Sequence, residues 1–340
     1  MIHPGASRRI LLGSALAAPF IRTAHAAPIE MRVSVDTAPT HARTIVIADF
    51  LKKLEAASQG EIATRLYDSG QLCADRDVIK ALVVGQVDMA APGTWIVASY
   101  VPDADLCQLP VFYGQPADVT HRVIDGVPGA MVKDQITRKL RLTILGHWLD
   151  LGLVNWYSAR KPLNALDDLR GLKIRSGGGF GQAWRAEFFG GVPDITAWPD
   201  VPLAMSQGMF DALQSTHESC VSAKLWQTGL HFALIDHQCL AAYIPMIGGE
   251  FWSRLSPALR TLITDLWSAN ITAWRGAMAA AQDKAEAALK ERNIRMITVA
   301  ADEVSELRAR MLVEQDRAAH EMKISPDTLS QVIEVTTASN

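Results

Sequence analysis

Residues 167–216 constrain the fold more than any other stretch of this chain. A short apolar run at 172–174 ends at Arg175, three glycines follow (Gly177, Gly178, Gly179), and helical spacing takes over across 180–189. A strand that feeds a tight turn and then a helix is the building unit of an α/β sheet, in which ligands sit beyond the carboxyl ends of the strands. An arginine at that end, beside backbone without a Cβ, can grip a carboxylate through two parallel N–H···O bonds. A solvated arginine in an ion pair beside a flexible turn has the same sequence, and position alone does not choose. The glycines are not a nucleotide fingerprint. Counted from Gly177, the sixth position of a G-x-G-x-x-G is Gln182, and no Gly-Lys-Ser/Thr follows. What remains is a strand, a turn and a helix N-terminus, which favour an anion without specifying a phosphate.

The rest of the chain alternates in the same way. Met31, Val33 and Val35 mark a strand, and Ile45, Ile47, Leu51 and Leu54 keep helical spacing up to Gly60. A strand follows at 61–67, then a helix with Asp75 as its N-cap and Gly85 as its stop. Further strands are expected at 105–111 and 140–145. One pattern occurs twice: VIKALVVGQVD at 78–88 and PLAMSQGMFD at 202–211 each read as a helix, a glycine stop, two residues and an aspartate. Two lobes built alike explain the repeat; so does the commonness of helix–Gly–strand in α/β chains.

Beyond Gly249 the pattern is helical. Ser256-Pro257 suits an N-cap and first helical position. Leu259, Ile263, Trp267, Ile271, Trp274 and Met278 keep one face apolar, and the spacing continues to about residue 293. At 1.5 Å per residue such a helix reaches ~55 Å, long enough to lie against two lobes. A charged helix is expected over 302–320, and Ser325-Pro326 starts a last one. A chain of 340 residues exceeds one ordinary core, which also points to two domains.

Residues 1–26 have the form of a secretory signal peptide. Ser7-Arg8-Arg9 leads an apolar run at 10–21, and Ala24-His25-Ala26 is a small-x-small cleavage site. The run has about a dozen residues where a bilayer-spanning helix needs ~20, and the paired arginines point to the twin-arginine route. Its removal takes three arginines and no acid from a chain whose formal charge is −3. A more acidic mature protein gives no support for nucleic acid or an anionic membrane surface as partner. Cys73, Cys107, Cys220 and Cys239 permit one or two disulfides in an oxidising compartment, or buried free thiols. There is no Cys-x-x-Cys, no G-x-S-x-G and no H-E-x-x-H, since His217-Glu218 runs on into Ser219-Cys220-Val221. Asp103 and Asp105 lack the rest of a calcium loop. No cofactor and no metal is expected.

Four stretches, in order, resemble one family. They are Tyr67, Gly70-Gln71-Leu72, Asp75-Arg76 and the Gly85-to-Met89 turn; LPVFYGQPADVTHRVIDG at 109–126; DDLRGLKIRSGG at 167–178; and AWPDVPLAMSQGMFDALQS at 197–215. Over roughly residues 30–320 the chain is similar to the substrate-binding proteins of TRAP transporters, the tripartite ATP-independent periplasmic carriers. The resemblance implies an α/β, two-lobed periplasmic binding protein fold with a hinge, crossing strands and a long helix contacting both lobes. Lobe I is then 27–150 plus 240–275, and lobe II 151–239 plus 276–340. It implies a periplasmic, monomeric, non-enzymatic protein that closes on a small organic acid and hands it to membrane permease subunits. Arg175 matches the arginine that holds the ligand carboxylate in that family.

Two departures narrow the ligand. Val154 or Asn155 stands where many relatives place a second arginine, and the segment from Asp211 to Glu218 departs from the family's Asp-Gly-x-Glu-Asn. A dicarboxylate is thereby disfavoured, and a monocarboxylate with hydroxyls or an aromatic group favoured. Charge-assisted hydrogen bonds contribute ~1.5–3 kcal/mol each, whereas micromolar affinity needs about 8 kcal/mol, so Arg175 requires helpers. The candidates are His41, Thr94, Asn155, Ser215 and Glu218, with Trp95 and Trp156 as aromatic walls; Trp184, Trp198, Trp252, Trp267 and Trp274 are assigned to core packing. The alternatives are a secreted hydrolase and a ligand sensor for a membrane receptor, which needs the same cleft.

Overall fold

The computed structural model describes residues 27–337, so the signal peptide expected over 1–26 lies outside the described residues. In chain order the strands are β1 (Ile29–Ser34), β2 (Ile62–Tyr67), β3 (Met89–Ala90), β4 (Thr143–Ile144), β5 (Leu149–Leu153), β6 (Asn155–Ser158), β7 (Lys173–Ser176), β8 (Val192–Ile195), β9 (Ala212–Ser215), β10 (Phe232–Ile235), β11 (Leu240–Tyr243), β12 (Met246–Ile247) and β13 (Arg295–Thr298). One sheet has the order β2-β1-β3-β12-β4 and the other β13-β10-β6-β9-β7-β8. Around β1 and around β7 the neighbouring strands run parallel. The remaining pair, β5 and β11, is antiparallel, with a register shift between Ala241 and Ala242. β5 leads directly into β6, and β11 carries the chain from β10 back to β12. These two strands cross between the lobes.

The repeated sequence pattern has a physical counterpart in each lobe. The Asp88 carboxylate accepts the backbone N–H of Arg32 at 2.7 Å, and the Asp88 N–H donates back to Arg32 O at 2.9 Å. Asp211 does the same with Lys173, at 2.9 and 2.8 Å. In both lobes the aspartate after the helix fastens the incoming strand to its parallel neighbour.

The long helix spans Pro257–Glu291, with Ser256 Oγ accepting the Leu259 N–H and Pro257 in the first turn. Its 35 residues make a rod of about 52 Å. Ile263, Trp267, Ile271, Trp274 and Met278 enter the core of the first lobe, which also holds Phe50 and Met31. Leu289 enters the core of the second, beside Leu213 and Ala233.

Three elements differ from expectation. Residues 102–112 form 3-10 turns, Pro102–Gln108 and Pro110–Phe112, where a strand was expected at 105–111. Their apolar side chains are buried, but Pro102 and Pro110 have no N–H to give a ladder. The helix expected over 302–320 is split into Ala301–Leu312 and Gln315–Glu321. Finally, Met322, Ile324 and Val332, the last of these in helix Pro326–Thr337, join the first lobe's core, so this stretch departs from a division that gives all of 276–340 to the second. The anchor is Asp103 in the first lobe, whose carboxylate accepts from the Ser325 N–H, the Ser325 hydroxyl and the Thr328 hydroxyl. All four cysteines are unpaired.

Candidate functional site between the lobes

β7 runs between β8 and β9, and its third residue is Arg175, 5% exposed. The Nε and Nη2 groups of Arg175 both donate to Thr196 O, at 2.9 and 2.7 Å, just past the end of β8. The guanidinium also lies 5.3 Å from the Trp198 ring centroid. One edge of the guanidinium is thus tied to the lobe, Nη1 makes no hydrogen bond among the described residues, and Arg175 lines an interlobe cavity of about 110 Å³. Burial pulls Arg175 down to about 10, so it remains charged at neutral pH.

The first lobe supplies the opposite wall. Asp36 and Thr37 follow β1, Asp75 and Arg76 come from the turn after β2, and Trp95 and Ile96 from the short helix Thr94–Val97. Tyr243 closes it from the end of β11. Behind them Arg43 is bonded to Asp36, Thr37 Oγ1 and Ala91 O, with its guanidinium 4.1 Å from the Tyr243 ring. Burial works against its charge, and Asp36 more than offsets this, holding Arg43 above its ordinary range. Asp75 makes no side-chain hydrogen bond among the described residues. Burial and then the neighbouring Asp36 charge push it up to about 8, against the pull of Arg43 and Arg175. Arg43 is thus paired with Asp36, burial favours the protonated form of Asp75, and Arg76 faces Asp77 on the exposed rim. Arg175 is the buried cation on the cavity wall, with no carboxylate partner among the described residues. In the second lobe Gln214 Nε2 donates to Gln182 O at 2.9 Å, leaving its buried Oε1 without a partner.

The glycines of the turn do something other than cradle a ligand. A Cβ on Gly177 would stand 2.8 Å from Trp95 Nε1, and one on Gly181 only 2.3 Å from Gln108 Cβ. Both neighbours belong to the first lobe, so these positions are bare because the lobes touch there. The N-terminus of helix Phe180–Phe188 is also filled from within the protein: Asp105 Oδ2 accepts the Gly181 N–H at 2.9 Å. Burial pushes Asp105 up to about 6, opposed by that bond and by Arg185. Arg185 is fully buried and donates to Gln108 Oε1 at 2.6 Å and Gln108 O at 2.7 Å.

Of the residues proposed from sequence, Arg175, Trp95 and Ser215 lie on the cavity wall. Five do not. Thr94 is fully buried. Trp156 sits in the second lobe's core and donates to Asp236. Asn155 accepts from the Asp236 and His237 N–H groups and so binds the crossing strands together, next to a separate cavity beside the long helix. His41 caps helix Ala42–Ala57, and Glu218 meets it from the other lobe. Trp198, assigned to the core, packs half-buried against the second lobe's core and lines the cavity as well. Asp36, Asp75, Gln214 and Tyr243 were not anticipated. Asp75 is not the expected N-cap: a 3-10 turn, Asp75–Asp77, precedes helix Val78–Val83, and its side chain turns to the cavity.

Residues 33–321 match the bacterial extracellular solute-binding proteins, family 7. The chain belongs to that family. It is a TRAP-type solute-binding protein, a transport component and not an enzyme. A C4-dicarboxylate-binding periplasmic protein, DctP of Rhodobacter capsulatus, is 27% identical over 309 residues, 88% of this chain and 86% of that one. Among solved structures, the sugar acid binding protein DctPAm of Advenella mimigardefordensis in complex with galactonate superposes with a TM-score of 0.85, at 18% identity, over 92% of this chain and 99% of that one. A TRAP periplasmic solute-binding protein of Chromohalobacter salexigens with bound D-glucuronate gives 0.81, at 20% identity, over 91% and 99%. These likenesses establish the two-lobed fold. Among the described residues no helix is long and apolar enough to cross a membrane.

Proposed function

We propose that this protein carries a hydroxylated monocarboxylic acid, with the carboxylate on Arg175, and delivers it to the membrane permease subunits of a TRAP transporter. The observation that carries this reading is the charge balance of the cavity: one buried guanidinium, Arg175, while Arg43 is paired with Asp36 and the rim residue Arg76 is exposed and faces Asp77 at 3.7 Å. Val154, one of the two positions where a second arginine would stand, lines the same cavity with an apolar side chain, and Asn155, the other, does not reach it. A second carboxylate would find no second buried cation there, only the exposed Arg76 already facing Asp77, although the Rhodobacter capsulatus relative is named for dicarboxylates. Asp75 with its proton, the free Gln214 Oε1, Ser215 and Ser219 suit hydroxyls, and Trp95 and Trp198 offer flat apolar faces to a carbon chain or sugar ring. Binding in the solved relatives of galactonate and D-glucuronate points the same way.

The test is calorimetric titration of the mature chain with D-galactonate, D-glucuronate, D-erythronate and succinate. A hydroxy monoacid should bind and succinate should bind more weakly. Truncating one partner of a buried charge pair costs roughly 2–5 kcal/mol, so Arg175→Ala should weaken the acid about 30-fold to several thousand-fold. Succinate binding tightest, or affinity unchanged in Arg175→Ala, would overturn the proposal.

A further inference from the structure

His41 and Glu218 were candidates for the ligand, yet neither touches the cavity; they touch each other across the lobes. His41 caps helix Ala42–Ala57, whose Ile47, Phe50 and Leu54 are in the first lobe's core. Glu218 and Ser219 lie in helix His217–Ser222, whose Cys220 is in the second lobe's core. His41 Nε2 stands 2.7 Å from Glu218 Oε2 and 3.1 Å from Ser219 Oγ, with the angle of a hydrogen bond met at Ser219. The other carboxylate oxygen of Glu218 accepts the Ala42 N–H at 3.0 Å. That N–H is one of the first-turn donors a helix cannot satisfy itself, and a carboxylate is favoured there by the helix dipole.

Proton positions follow from the partners. His41 Nδ1 accepts the Arg43 N–H at 3.0 Å, so the neutral ring carries its proton on Nε2, facing Glu218 and Ser219. Ser219 Oγ also accepts from Thr216 Oγ1 at 3.0 Å. Its own proton is then uncommitted, and Ser219 lines the ligand cavity. On the far side the Glu218 N–H donates to Gln282 Oε1 of the long helix at 3.1 Å, and Gln282 Nε2 donates to Leu151 O of the crossing strand β5 at 2.7 Å. Glu218 Oε2 has only the charge contact to His41 and no hydrogen bond among the described residues. The bonded route from the cavity wall to the hinge therefore runs from Ser219 to His41, across the lobes from the Ala42 N–H to Glu218 Oε1, and on through Gln282 to Leu151.

We propose that His41 and Glu218 are positioning residues that set ligand affinity without touching ligand: they latch the closed lobes, and Ser219 couples the latch to the cavity. The ligand side of this rests on the acid-binding reading above. A contact made between the lobes and lost when they part slows escape of ligand and leaves entry nearly unchanged. His41→Asn keeps a side chain that can cap the helix but is too short to reach Glu218; Glu218→Ala removes the other half. With D-galactonate as probe, stopped-flow tryptophan fluorescence should show dissociation roughly tenfold faster in each variant. Association should change less than about twofold, and the double variant should be no faster than the faster single, as for two halves of one contact. Unchanged dissociation, or effects that multiply in the double variant, would overturn the latch. If D-galactonate does not bind wild type, the acid reading fails for that probe and hydrogen exchange of the Ala42 amide in ligand-free protein decides. Protection lost in Glu218→Ala upholds the latch, and an amide unprotected in wild type, or equally protected in both, overturns it.

Discussion

Arg175 and Arg185 stand on consecutive elements of one strand–turn–helix unit, and both are buried, yet they face opposite demands. Arg175 spends one edge on a single carbonyl and presents the other to a cavity. Arg185 is committed to the backbone and side-chain oxygens of Gln108, with Asp105 near enough for its charge to be felt. The first region keeps a charge exposed to whatever enters. The second uses its charge to hold one lobe to the other. A buried arginine is therefore no mark of a binding site by itself; what distinguishes the two is the surroundings, since Arg175 lines a cavity whereas the Arg185 Nε is buried without a partner among the described residues.

That contrast can be broken most directly at Arg185. Removing one partner of a buried charged network costs about 3–5 kcal/mol, so Arg185→Met should lower urea-unfolding stability by that amount. Arg175→Met should change stability by less than about 1 kcal/mol, because its desolvation cost goes with it, while acid affinity collapses. Equal losses of stability in the two variants would erase the distinction. Next in size is Gly181→Ala. Its Cβ would meet Gln108 Cβ at 2.3 Å, and overpacking of this kind costs about 1–3 kcal/mol, read as a fall in Tm. An unchanged Tm would mean that the seam is slack.

The smallest effect belongs to Asp75 on the cavity side. Its pKa is raised from an ordinary 3.8 to about 8 in the folded protein. The proton is held while folded, so the stability it brings is greatest at low pH and is lost as pH climbs from about 4 through 8. Ligand affinity follows the same proton: above pH 8 the ionised Asp75 repels an incoming carboxylate. Titrations from pH 7 to 9.5 should show wild-type affinity declining by at most about tenfold per unit beyond 8, with a flat profile in Asp75→Asn. A decline that persists in Asp75→Asn would assign the proton elsewhere.

Much of this was legible in the chain. The long helix was announced by Ser256-Pro257 and its apolar stripe, the likeness of the lobes by the paired helix–Gly–Asp patterns, and Arg175 by its place at a strand end before a turn. What failed did so for local reasons. Residues 102–112 are apolar enough for a strand, but apolarity reports burial and not backbone shape, and two prolines decided against the pleat. Asp75 precedes a helix and reads as a cap, but a 3-10 turn intervenes and swings its carboxyl into the cavity. His41 and Glu218 are 177 positions apart, and nothing in either neighbourhood shows that they meet. Glycines at 177 and 181 signal close approach correctly; the chain does not say that the approaching group is Trp95 or Gln108 rather than a ligand.

The helix Pro257–Glu291 has a mechanical consequence. Seated on both halves, it cannot stay straight and keep both sets of neighbours when the halves part. Opening must flex it or slide one half along it, as a door works against a leaf spring. Substitutions at exposed positions of this helix such as Lys284 are accordingly where the stiffness of that door can be retuned without rebuilding its lock.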